Sequence, residues 1–276
     1  MRILIIEPSL GLGNRIRALD SAIAYSEAKN CKLVVIWISN SECNSRFTDL
    51  FELPEELFQL IEVNSGLLSK MLLKLVKAIL QIFLNNYLNN KRTIQLKKET
   101  GSFCKGITRF LEKPRTMNVV YLQSFSRFFR SSKTPPYDKF VPIKNIQNII
   151  NQYDLENTVG IHVRRTDHER SIKRSPLSGF IEAMNDELSS DQKVKFFLAT
   201  DDPQTEIELK NKFPNRVMVH PKPSLDRNDP LAVRDAVVDL YCLANCKKLI
   251  GSYRSSFSET AYEIKGIPNI IVDSKK

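Results

Sequence analysis

The sequence predicts an α/β protein of two lobes, each a parallel sheet covered by helices. Three observations carry that expectation. Short apolar strands alternate with helical segments from end to end, which implies parallel strands joined by crossovers. A proline-rich stretch near the middle, Ser131-Ser-Lys-Thr-Pro-Pro-Tyr-Asp-Lys-Phe-Val-Pro142, breaks both helical and strand patterns. The glycine-, charge- and hydroxyl-bearing segments directly follow predicted strands, where open α/β sheets bind their ligands. At 276 residues the chain is long enough for two modest domains. They are expected at 1–140 and 141–276, with a cleft between them.

The elements follow in order. Residues 2–7 form the first core strand. A glycine loop then leads into a helix at about 15–29, with Ile16, Leu19, Ala22, Ile23 and Ser26 on its buried side. Leu33-Val-Val-Ile-Trp-Ile38 is the next strand, and 59–63 and 118–122 read as further strands of the same sheet. Beyond the break, strands are expected near 158–164, 193–199, 216–219, 248–251 and 268–272. Helices are expected near 176–189, 203–212, 229–245 and 257–265. No internal repeat or low-complexity tract interrupts the pattern.

Hydrophobic residues at 42% and charged residues at 26% fit a soluble globular protein. The net charge of +10 is uneven: no acidic residue lies between Val63 and Lys98, while Lys70, Lys74, Lys77, Lys91, Arg92, Lys97 and Lys98 do. That concentrates the excess on one local face toward something anionic. Within it, Lys70, Lys74, Lys77 and Gln81 form one stripe of an otherwise apolar helix, too often broken by lysine for a membrane span. Two readings of the basic insertion 66–98 stand: a helix on the sheet with lysines in solvent, or an interfacial helix on an anionic membrane. A nucleic-acid binder is disfavoured, because no recognition motif or interleaved aromatics accompany the charge.

Met1 runs directly into Arg-Ile-Leu-Ile-Ile-Glu, so no secretory leader is expected and a cytoplasmic, at most peripherally membrane-bound, location follows. The five cysteines, Cys31, Cys43, Cys104, Cys242 and Cys246, lack zinc spacing, and free thiols without a structural metal are expected.

Four loops carry chemistry. Gly11-Leu-Gly13-Asn14-Arg15 offers backbone approach and a helix N-terminus for an anion, although the third glycine of a dinucleotide fingerprint is missing. Val159-Gly-Ile-His-Val-Arg-Arg-Thr-Asp167 ends a strand in His162, Arg164, Arg165 and Asp167. Strand alternation sets His162 and Arg164 on one side, and guanidinium groups there suit a two-pronged phosphate contact. An Arg–Asp tie closing the strand is the plainer alternative. Thr200-Asp201-Asp202-Pro203 is better explained by a helix cap followed by proline than by a metal site. The turn Gly251-Ser-Tyr-Arg-Ser255-Ser256-Phe257-Ser258 puts a cluster of hydroxyls at a helix mouth suited to phosphate.

Together, Gly11–Arg15, His162-Val-Arg-Arg-Thr-Asp167, Ala199-Thr-Asp-Asp-Pro203 and Ser255-Ser-Phe-Ser-Glu-Thr-Ala261 resemble the ordered motifs of the fucosyltransferase superfamily. That group contains α1,6-, nodulation, α1,2- and protein O-fucosyltransferases, and the second and third motifs resemble the α1,6 branch most. The resemblance is strongest over 158–265 and 1–20. It implies a GT-B fold of two Rossmann-like domains, GDP-fucose as donor, an inverting and metal-independent transfer, no cofactor, and a glycan or glycolipid acceptor. It also implies roles for individual residues. Arg164 grips the β-phosphate, His162 lies beside the nucleoside, and Asp239 hydrogen-bonds guanine. Ser255 and Ser256 contact phosphate above Phe257, and Asn14 faces the reaction centre. Gly11, Gly13, Arg15, Arg165, Thr200 and Asp201 complete the implied donor site. For the general base, Asp167 and Glu169 lie in the right loop; the branch's glutamate position is Ile172 here. The same fold with another nucleotide sugar, or a non-catalytic glycan- or nucleotide-binding protein, are the alternatives.

Overall fold

The structure, a computed structural model, describes residues 3–64, 66, 71, 75, 111, 119–166 and 169–275. The chain forms two compact units: Met1–Val141 with Arg227–Val233, and Pro142–Asp226 with Arg234–Lys276. The return of 227–233 to the first unit was not legible in the sequence. It is held there by Asn44, whose backbone N–H donates to Arg227 O (3.0 Å) and whose Nδ2 donates to Asn228 O (2.8 Å).

The first unit contains a wholly parallel sheet in the order β3-β2-β1-β4, made of β1 (Ile3–Pro8), β2 (Lys32–Ile38), β3 (Gln59–Val63) and β4 (Val119–Ser124). Helix α1 (Leu12–Lys29) joins β1 to β2. It begins three residues before the expected start, because Gly11 is extended and its carbonyl accepts the N–H groups of Asn14 and Arg15. The presumed glycine loop is therefore the first helical turn. The helix is also buried on every side from Leu12 to Ser26, Asn14 excepted, rather than on one face. A single-sided pattern cannot be read where neighbours cover the whole circumference. Beside the sheet, Trp37 donates its indole N–H to Ser45 O (2.8 Å), and Phe47 stacks edge-on against Trp37 and Phe58.

The second unit has a five-stranded parallel sheet, order β7-β6-β5-β8-β9. Its strands are β5 (Thr158–Val163), β6 (Lys195–Thr200), β7 (Val217–Met218), β8 (Lys248–Ser252) and β9 (Asn269–Val272). The helices are α2 (Lys144–Ile150), α3 (Glu169–Arg174), α4 (Leu177–Ser190), α5 (Pro203–Lys212), α6 (Pro230–Ala244) and α7 (Ser256–Lys265). The first turn of α6 belongs to the first unit. Every strand and helix expected past residue 150 is present to within about two residues at each end, the usual uncertainty of a boundary. Helices α2 and α3 and the short 3₁₀ turn Phe47–Asp49 were not anticipated, since elements of two turns or fewer show no full apolar period.

Strand β5 is buried along its entire length. Val159, Ile161 and Val163 pack with Phe180, Met184, Phe196 and Leu198 in one core. On the opposite face, Gly160 lets α6 come close: a Cβ there would stand 3.0 Å from Leu243 Cδ2 and 3.4 Å from Cys246 Sγ. No helix among the described residues is long and apolar enough to cross a membrane. The basic insertion 66–98 lies outside the described residues except for Gly66, Met71 and Leu75, which are exposed. Cys104 is outside them too, and Cys31, Cys43, Cys242 and Cys246 are free thiols.

Candidate functional site

In the second unit the strand order reverses between β5 and β8, and ligands of open parallel sheets bind beyond the carboxyl ends at such a switch point. Arg164 stands there, half-buried, one residue past β5. Its backbone N–H donates to Ser252 Oγ (3.0 Å) at the end of β8, and that hydroxyl donates to His162 O (2.9 Å). The two strand ends are thus stitched together around the arginine.

The serine cluster divides its labour. Ser255 caps α7, accepting the Ser258 N–H at 3.4 Å. Ser258 is buried; its Oγ accepts the Ser252 N–H (3.1 Å) and lies 2.6 Å from His162 Nδ1. Having accepted that amide, the Ser258 hydroxyl keeps its proton and a second lone pair, so it can bond Nδ1 in either tautomer of the neutral ring. Ser256 and Phe257 occupy the first positions of α7, and among the described residues their backbone N–H groups have no hydrogen-bonded partner. Two free N–H groups at a helix N-terminus suit an anion. Ser255 and Ser258 accept backbone amides in building this mouth, and the cap leaves the Ser255 hydroxyl proton unused.

His162 is buried and stacks on Phe257 at 4.9 Å between ring centroids. Burial holds its pKa down at about 3, and Arg164 and Lys222 push the same way against Asp201. It is a neutral ring at physiological pH, apt for stacking and for a single N–H donation.

Asp239 sits on α6, one turn before Leu243, the residue that meets Gly160. Moving two residues along β5, roughly 6.6 Å, takes Gly160 to His162; one helical turn back, roughly 5.4 Å, takes Leu243 to Asp239. This antiparallel stepping brings the carboxylate toward the same strand end. Asp239 Oδ2 pairs with Lys222 Nζ at 2.7 Å, while Oδ1 is buried with no hydrogen-bond partner. Burial raises its pKa, opposed by the Lys222 ammonium. A turn earlier on α6, Asp235 Oδ1 lies 3.3 Å from His220 Nε2, and His220 Nδ1 meets the Tyr153 hydroxyl at 3.1 Å.

The remaining residues implied for the donor site make contacts within the fold. Asp201 accepts the Arg165 N–H (2.6 Å) and the Thr166 hydroxyl (2.7 Å), fixing the loop that presents Arg164. Thr200 Oγ1 accepts the Asp202 N–H, and Asp202 caps α5 by accepting from Gln204 and Thr205, as Asp before Pro203 predicts. Arg165 donates through Nη1 to Ser175 O (3.0 Å), while its buried Nη2 has no hydrogen-bond partner among the described residues. Asp167 lies outside the described residues; Glu169 is exposed at the start of α3.

In the first unit Arg15 is fully buried and does not present a cation to a ligand. It donates to Leu10 O (2.7 Å), Ile38 O (2.5 Å) and Asn40 Oδ1 (2.8 Å), with its guanidinium over the Trp37 ring. The left-handed residue of this loop is Leu10, at φ 66°, not a glycine, and Arg15 braces it. A Cβ on Gly11 would make only ordinary contacts, 3.8 Å to Arg227 Nη1, and Gly13 is buried within α1. Asn14, partly exposed, accepts from Arg17 Nη2 at 2.9 Å.

Sequence reasoning missed several polar residues here. Asp235 was readable, being four residues before Asp239 on a helix. Lys222, His220 and Tyr153 come from irregular or short segments and carried no periodic signal. Glu7, buried at the end of β1, accepts from Gln123 Nε2 (2.9 Å) and from the Tyr121 hydroxyl on β4. A carboxylate closing an otherwise apolar strand was its signal. Among the described residues no group of three or more His, Cys, Asp or Glu side chains is arranged to hold a metal ion.

No family model matches this sequence, and no curated protein does. Solved structures do match by shape. The NodZ α1,6-fucosyltransferase, a Bradyrhizobium protein, soaked with GDP-fucose, superposes with a TM-score of 0.64 at 18% identity, over 99% of this chain and 96% of that one. A variant of Arabidopsis thaliana FUT1 in complex with GDP gives 0.55 at 15% identity, over 98% and 70%. POFUT1 in complex with GDP-fucose gives 0.56 at 11% identity, over 98% and 97%. The chain therefore has the GT-B-like fold of these fucosyltransferase structures.

Proposed function

We propose that the chain is an inverting, metal-independent glycosyltransferase that moves fucose from GDP-fucose to a hydroxyl of a glycan or glycolipid. The observation that carries this reading is the β5–β8 switch point. Arg164 and, among the described residues, two unpaired N–H groups of α7 stand at that strand end, and α6, packed on β5 at Gly160, carries the buried carboxylate oxygen of Asp239. GDP and GDP-fucose in solved structures of the same fold support the same donor.

The chemistry follows from where charge develops. The bond from the sugar C1 to the β-phosphate oxygen breaks, and its electron pair stays on the phosphate. The acceptor oxygen bonds to C1 from the opposite face, and its proton passes to a carboxylate. Arg164 and the Ser256 and Phe257 N–H groups stabilise the growing diphosphate charge more than the ground state. Neutral His162 lies beside the nucleoside, and Asp239 takes the base. Glu169 and Asp167 are the carboxylates assigned to the acceptor proton, and Asn14 the polar group assigned to the reaction centre. The basic segment 66–98 is assigned to an anionic membrane that carries the acceptor.

The test is a thermal-shift panel of GDP, UDP, CDP and dTDP, followed by turnover of GDP-fucose with and without EDTA. At a hundred times its Kd, GDP is expected to add about 2.7 kcal/mol of stability. Arg164→Ala is expected to lower kcat by about 100-fold, the scale of losing one strong oxyanion donor. No stabilisation by any nucleotide overturns the transferase reading; a preference for another base moves it to another sugar donor; binding without turnover leaves a binding protein.

A further inference from the structure

The buried pair Lys222–Asp239 is larger than a carboxylate site needs to be. The two side chains are 8% and 7% exposed and 2.7 Å apart. Among the described residues Asp239 is the only hydrogen-bonded partner of the Lys222 ammonium, which has three N–H donors. Two buried donors are left over, beside one carboxylate oxygen with no partner at all. Burying a charge with unused hydrogen-bonding capacity is costly, and such capacity persists where a ligand completes it. Asp239 stands on α6, the helix that packs on β5 at Gly160, two residues before His162.

We infer that Lys222 reads the nucleobase directly, donating to the 6-oxo group of guanine while Asp239 accepts from N1–H and the 2-amino group. The pair forms a row of one donor and two acceptors. Guanine shows the complement, one acceptor and two donors. Adenine and cytosine present a donor where Lys222 needs an acceptor, and uracil presents an acceptor against the second oxygen of Asp239. Those bases leave a buried group unpaired, the arrangement by which sites reject near-isosteres most strongly. Lys222 is thus a specificity-determining residue, not merely the counter-ion of Asp239.

This deepens the proposed donor reading and rests on it, so the experiment separates the two. Calorimetry on the full chain compares GDP, 6-thio-GDP, IDP, ADP and UDP for wild type and Lys222→Met. Sulfur at position 6 accepts poorly but leaves N1–H and the 2-amino group intact. Wild type is expected to bind GDP about tenfold more tightly than 6-thio-GDP, and a similar factor over IDP reports on Asp239. In Lys222→Met the GDP/6-thio-GDP ratio is expected to collapse toward one, as the protein–ligand cycle requires for a direct contact. A ratio unchanged by the substitution overturns the inference and leaves the guanine reading standing. Parity of GDP and 6-thio-GDP in wild type overturns it too, without need of a folded variant. Equal wild-type binding of GDP, ADP and UDP would instead overturn the guanine reading itself.

Discussion

Ser258 accepts one buried amide and holds His162 Nδ1, so Ser258→Ala strands two buried polar groups at once. It is expected to cost about 1–3 kcal/mol in urea unfolding, while Ser256→Ala stays within about 0.5 kcal/mol and acts instead by weakening GDP binding. The opposite result would reverse the roles given to these serines. His162 carries a pH consequence. Its folded pKa of about 3 lies below an unfolded value of roughly 6.5. The unfolded chain therefore binds the extra proton between those values. The stability this ring protects is complete above pH 6.5 and declines as pH falls toward 3, by up to about 1.4 kcal/mol per unit. Unfolding measured at pH 7.5 and pH 5.0 is expected to show a smaller loss in His162→Gln than in wild type. Equal losses would mean that the ring is protonated in the fold.

Elements meet at glycines here, and the neighbour decides what each tolerates. A Cβ on Gly251 would lie 2.9 Å from both Cβ and Oγ of Ser258, atoms fixed to a helix turn. A Cβ on Gly160 would meet the Leu243 Cδ2 at 3.0 Å, the far end of a side chain that can rotate away. Gly251→Ala is therefore expected to cost more, within the roughly 1–3 kcal/mol of overpacking, and to loosen His162 as well. Paired melts of the two variants check this; a larger loss for Gly160→Ala would contradict it. The cap of α5 shows the same dependence on local chemistry: Asp202 before Pro203 was readable because capping involves only residues three positions apart. The burial of Arg15 was not legible because its partners, Leu10, Ile38 and Asn40, are gathered from two loops and a strand end.

Across the whole molecule the surplus charge is concentrated in 64–98, where seven basic residues face no acid. Wild type is expected to pellet with anionic vesicles and a Lys70/Lys74/Lys77 triple glutamate variant to stay in solution at about 0.1 M salt, where screening spares only close contacts. Equal pelleting would remove the membrane assignment. The sequence by itself determined the α/β class, the order of the strands along the chain and the strand end that bears Arg164. Apolar alternation, caps and turn residues act over a few positions, and a single chain displays them openly. Tertiary structure decided which polar groups are spent and which are left. It buried Arg15, gave Ser255 and Ser258 to the scaffold, and brought Lys222 from an irregular segment against Asp239 on a helix. The Lys222–Asp239 and His162–Ser258 pairings span 17 and 96 residues. They are set by strand order and helix packing, and no local periodicity encodes them.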